Sequence, residues 1–160
     1  MNLFTLIHVL ISLVGILSGL VVLYGLLTSQ RMPTMTLVFL VTTVATSLTG
    51  FGFHRDHILP SHIVGVVSLL LLAVAILALY RFHLMGAWRW IYVATAVASL
   101  WLNVFVLIVQ SFLKIAPLHA LAPMGSEPPF AATQGAGLVA FIVLGVLASR
   151  RFHPAAPALG

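Results

Sequence analysis

Residues Ser61–Tyr80 read Ser-His-Ile-Val-Gly-Val-Val-Ser-Leu-Leu-Leu-Leu-Ala-Val-Ala-Ile-Leu-Ala-Leu-Tyr. The run holds no Lys, Arg, Asp or Glu, and about 20 apolar residues is what a helix needs to cross a hydrocarbon core about 30 Å thick. Nothing in it alternates with period two, as the strand of a membrane barrel would. Working outward, four more stretches qualify: about residues 3–27, 35–53, 88–112 and 130–149. Their breakers are Pro33, Pro60, Gly86 and the pair Pro128-Pro129, residues that end or begin helices. The expected fold is all-α: one integral membrane bundle of five transmembrane helices over residues 1–152, with a loose tail over 153–160.

Composition agrees. Of 160 residues 62% are hydrophobic and 6% charged, with a mean hydropathy of +1.21, whereas a soluble domain carries roughly a quarter charged residues. That excludes a soluble enzyme, a disordered chain and a cytosolic nucleic-acid binder. The net charge of +5 suits a lipid surface, so the bilayer is the expected partner and nucleic acid is not. With no cysteine, disulfides, thiolate metal sites and covalently attached haem are impossible. The first span has no basic residue before it and is longer than the 7–15 residues of a signal-peptide core, so it is expected to stay in the protein.

Charge sets an expected orientation. Arg31, Arg81, Arg89, Arg150 and Arg151 fall on one side of the five spans, and only Arg55 and Lys114 on the other, together with Asp56 and Glu127. By the positive-inside rule the N-terminus faces out and the C-terminus lies in the cytoplasm. Tyr24, Tyr80, Trp88, Trp90 and Tyr92 belong to the inner interface on this reading. The connection Leu113–Pro129 is long and apolar, and is expected either in the outer interface or folded back over the bundle.

The same orientation collects histidines on the outer face: His8, His54, His57, His62 and His119. His8, His62 and Gln134 lie a few residues inside spans that start there, within roughly 6 Å of one depth at 1.5 Å per residue. Span two ends at His54 and span four nears its end at Gln110, so each helix offers one His or Gln to a shallow layer. Helical spacing extends three of these into stripes that step by 4, 3 and 4. They are His8, Ser12, Gly15 and Gly19; Thr43, Ser47, Gly50 and His54; and Ser99, Asn103, Val106 and Gln110. Gly15-Ile16-Leu17-Ser18-Gly19 is also a GxxxG contact motif.

Three chemistries compete for this layer, a haem or quinone site being the leading expectation and a ligand-free subunit the runner-up. Two imidazoles at one depth, His8 and His62, suit the axial positions of a b-type haem or hydrogen bonds to a quinone, with Gln110, Gln134 and His54 orienting the ligand. A histidine-rich outer face with acids nearby, His54, Asp56, His57, His119 and Glu127, suits a metal ion. Ser, Thr, Asn and small residues also serve simply as glue between membrane helices, which makes the chain an accessory or assembly subunit beside other membrane subunits or its own copies. A proton-coupled transporter places a carboxylate or Lys near the midplane, and this chain has neither there; with Asn103 the deepest polar candidate, only small-solute transport along a neutral path remains as a further alternative. No nucleotide, zinc-protease or serine-hydrolase pattern is present, so catalysis by the isolated chain is not expected. Tyr80-Arg81-Phe82-His83 and Trp88-Arg89-Trp90 read as interfacial anchors touching anionic lipid.

Several stretches carry a resemblance. They include Gly52-Phe53-His54, Leu59-Pro60-Ser61-His62-Ile63-Val64-Gly65, Gly86-Ala87-Trp88-Arg89-Trp90-Ile91-Tyr92 and Ser126-Glu127-Pro128-Pro129-Phe130. Together they resemble uncharacterised small multi-pass inner-membrane proteins of proteobacteria. The resemblance implies a bacterial cytoplasmic (inner) membrane, with the outer face in the periplasm, and implies no activity.

Overall fold

The computed structural model describes residues 3–52 and 60–154. Every regular element among them is helical: α1 Leu3–Leu27, α2 Pro33–Gly50, α3 Pro60–Ile76, α4 Trp88–Lys114, α5 Ala116–Leu121 and α6 Pro128–Arg151. A π-turn, Leu77–Arg81, continues α3 without a break. Five helical segments are long and apolar enough to span a bilayer, so the chain has the build of a multi-pass membrane protein. Two spans start earlier than the hydropathy suggests. Prolines occupy the first turns of α2 and α6, where a missing N–H costs nothing and the fixed φ is already helical.

Helices α1 to α4 close a ring, each against the next and α4 back against α1, and α6 packs on α4 and α1 from outside. The bundle runs up and down. One end, called here the His8 end, gathers the start of α1, the end of α2, the start of α3, the end of α4 and the start of α6. The other, the Arg31 end, gathers the opposite termini. The GxxxG motif acts inside the chain: a Cβ on Gly19 would sit 2.6 Å from Leu100 Cδ1 and 2.9 Å from the Phe39 ring. Only a missing side chain lets α1, α2 and α4 approach this closely. Helix α6 seats itself likewise, since a Cβ on Gly137 would lie 2.8 Å from the Trp101 ring. Its remaining surface is apolar and open, with Leu138, Val139, Ile142, Val143 and Val146 exposed, as suits a helix whose solvent is lipid.

The core lies toward the Arg31 end, where Val22, Leu26, Leu40, Leu72, Val93, Leu100 and Phe152 pack together. Arg89 locks that end by donating from Nη1 to the carbonyls of Ser149 and Phe152, the last acceptors of α6, which no helical N–H reaches. The α3–α4 corner is strained. His83 and Leu84 take φ of 49° and 60°, left-handed values that cost non-glycine residues roughly 1–3 kcal/mol each. The corner is held by hydrogen bonds from Phe82 N–H to the Leu77 carbonyl and from Leu84 N–H to the Ala78 carbonyl, both 3.0 Å, and by the Phe82 ring stacked on Trp88 at 3.9 Å.

Candidate functional site

Halfway down the ring the polar stripes meet. Thr43 and Ser99 are fully buried, Asn103 Nδ2 donates to Thr43 Oγ1 at 3.3 Å, and Gly15 opens the space they occupy. One turn toward the His8 end, Ser47 Oγ donates to Ser68 Oγ at 3.2 Å and joins α2 to α3. Most other hydroxyls return to their own helix: Ser18 to the Val14 carbonyl, Thr42 to Val38 and Ser99 to Thr95. Thr46 Oγ1 is buried without a partner among the described residues.

At the His8 end the expected layer divides into groups. His8 Nδ1 lies 2.7 Å from Thr49 Oγ1. The Thr49 hydroxyl directs its only proton to the Ala45 carbonyl at 2.7 Å, so His8 is the donor in this pair and the tautomer leaves the lone pair on Nε2. His62 stacks on Phe51, centroids 5.8 Å apart and planes 14° apart. The two imidazoles therefore flank the end of α2, one against Thr49 and the other against Phe51. Gln134 belongs to another seam, where its Nε2 donates to the Phe105 carbonyl of α4 at 3.2 Å and its Oε1 is buried without a partner. Gln110 is exposed. Phe112, about 200° further round the helix, takes the inward place and packs edge-on against Phe130 at 5.4 Å.

The candidate metal ligands fare similarly. His54, Asp56 and His57 lie outside the described residues. His119 is exposed on α5, a short helix with no buried residue that leans on α4 rather than roofing the bundle. Glu127 precedes α6, and its carboxylate accepts the Met124 and Ser126 amides at 2.9 and 3.0 Å. The Met124 amide is the main reason its carboxyl is held below the usual value. Among the described residues no three of His, Cys, Asp and Glu stand together as a metal set.

The Arg31 end holds what sequence reasoning missed. A cavity of about 270 Å³ opens between the ends of α1 and α2, the π-turn, the strained corner and Phe152. It is lined by the buried Val22, Leu26, Thr36, Leu84 and Tyr92 and by the exposed Arg31, Tyr80 and His83. Tyr92 is buried with its hydroxyl on Thr36. The aromatic and basic residues here were legible as interfacial anchors, but neither the π-turn nor the reversal at His83 has a sequence signature. No protein-family model, curated protein or solved structure matches the chain, so function is argued from this geometry.

Proposed function

We propose that the protein is a non-catalytic subunit of a bacterial cytoplasmic membrane, with its N-terminus outside, that works by associating with other membrane subunits or its own copies. The observation that carries this is the pairing of polar groups inside the ring: Asn103 with Thr43 and Ser47 with Ser68. Each pair joins two helices, as glue does, and neither presents a titratable group for chemistry. The orientation rests on the five-to-two division of basic residues, and a reporter fused to the C-terminus should be active only in the cytoplasm.

A haem or quinone at the His8 end is the second reading, and one observation favours it. A histidine that donates from Nδ1 to a neighbour has its ring orientation and tautomer fixed, the usual outer-shell arrangement of a ligating imidazole. Against a shared haem, the end of α2 is packed against both rings, and two axial imidazoles need a common open slab between them. The test is an absorption spectrum of protein purified in mild detergent, oxidised and then dithionite-reduced, with quinone extraction and metal analysis on the same sample. The subunit reading expects no Soret band, no quinone and no stoichiometric metal. A Soret band or quinone that disappears in His8→Ala and His62→Ala would replace it with the second reading.

A further inference from the structure

We propose that the cavity at the Arg31 end is a binding site for the anionic headgroup of a phospholipid, with the first part of its acyl chain lying on the apolar wall. The inference goes beyond the subunit reading and does not depend on it. Three observations meet at this place.

The first is the cavity's chemistry. At about 270 Å³ it is near the lower limit of small-molecule sites, roughly 300 Å³, which suits a headgroup and a short stretch of chain rather than a whole lipid. Its exposed lining supplies donors, the Arg31 guanidinium with Tyr80 and His83, while Val22, Leu26 and Leu84 supply a greasy floor. A polar head and an apolar tail fit that division. The second is uncompensated charge. Of the chain's two acids, Glu127 stands at the opposite end and Asp56 lies outside the described residues. The Arg31 side chain lines the cavity and makes no hydrogen bond or salt bridge among the described residues. A guanidinium with no carboxylate partner favours a phosphate group. The third is the backbone. The π-turn and the left-handed pair His83 and Leu84 are two unfavourable local conformations, and both contribute residues to this one wall. π-turns and left-handed non-glycine residues collect at binding sites because the fold retains them for what they position. Here they bring Tyr80 and His83 to the rim and turn Leu84 inward, where it is buried.

The experiment uses the full chain in a neutral detergent. Melting temperature is followed as phosphatidylglycerol, phosphatidylcholine or inorganic phosphate is added, in the wild type, in Arg31→Gln and in the double variant Arg150→Gln/Arg151→Gln. The double variant removes exposed charges from the same end without touching the cavity. Phosphatidylglycerol should raise the melting temperature of the wild type and of the double variant. In Arg31→Gln about fivefold more lipid should be needed for the same shift, one guanidinium near an anionic surface being worth about that factor. Equal stabilisation by phosphatidylcholine would show that charge is not read, and would overturn the proposal. So would a response retained in Arg31→Gln but lost in the double variant, which would mark a general surface attraction. Stabilisation by inorganic phosphate to the same extent would assign the site to a free anion and remove the lipid from it.

Discussion

At the His8 end the polar side chains have neighbours: His8 holds Thr49, His62 lies on Phe51, and Glu127 closes its own loop. At the Arg31 end a guanidinium and an imidazole line an open cavity of about 270 Å³. The sequence suggests the reverse, because it concentrates histidine and both acids at the first end. The difference teaches that a crowd of polar residues at one depth need not make a site. Polar groups on adjoining helices or within one loop find each other first. A site is left where charge of one sign is gathered with no opposite charge in reach. Four substitutions and one matched control separate the two ends and the seam between them.

The largest effect is expected from Gly19→Leu, because the seam serves both ends. The new side chain would begin 2.6 Å from Leu100 and 2.9 Å from Phe39. Overpacking of this kind costs about 3 kcal/mol, roughly 6–12 °C of melting temperature for a chain of this size. Gly135→Leu is the matched control, since nothing lies within 4 Å of its Cβ position, and it should change stability by less than about 0.5 kcal/mol. Equal effects of the two in a detergent melt would mean that α1, α2 and α4 are not packed as described.

Arg89→Ala comes next and should act on one end only. It leaves the carbonyls of Ser149 and Phe152 without their charged donor, a loss of about 2 kcal/mol for hydrogen bonds to a cation. Hydrogen exchange should quicken at the Phe152 amide, which bonds to the Ala148 carbonyl, and remain unchanged at Thr49. Matching acceleration at the two ends would show that they are one cooperative unit and that the contrast between them has no energetic meaning.

Thr49→Val tests the other end while keeping the branched shape. It removes the acceptor of the His8 Nδ1 proton, at a cost of about 1 kcal/mol. Nitrogen-15 spectra of the His8 ring should then show a mixture of tautomers in place of one. An unchanged ring spectrum would mean that Thr49 does not set the tautomer, and would take away the observation that favours a ligand on Nε2.

How much of this was legible follows from which interactions are local. The five spans come from runs such as Ser61–Tyr80, where composition alone decides. The 4-3-4 stripes correctly bring Gly15, Gly19, Thr43, Ser47, Ser99 and Asn103 inward, because a rigid helix carries one face along its length. They fail at Gln110, since the stripe says nothing about where neighbouring helices end, and there Phe112 and Phe130 fill the inward space. The cavity was illegible for a different reason. Arg31, His83, Tyr92 and Phe152 come from four separate segments, and only the π-turn and the reversal at His83 bring them around one space.

The smallest effect is expected from Glu127→Gln, and it has a definite dependence on pH. The Glu127 carboxyl is held below its ordinary value of 4.5 by the Met124 amide above all. A lowered folded value means the contribution is complete above about pH 4.5 and is lost as pH falls through the folded value, when the carboxylate takes up its proton. The amide proton shifts of Met124 and Ser126 should therefore titrate together in the wild type, with a midpoint below 4.5. In Glu127→Gln neither should move over that range, while the melting temperature hardly changes, since the carboxylate is open to solvent and screened. A midpoint at or above 4.5 would mean that the loop does not hold the carboxylate. Glu127 would then be available to the His8 end, and the contrast between a closed and an open end of the bundle would lose one of its three supports.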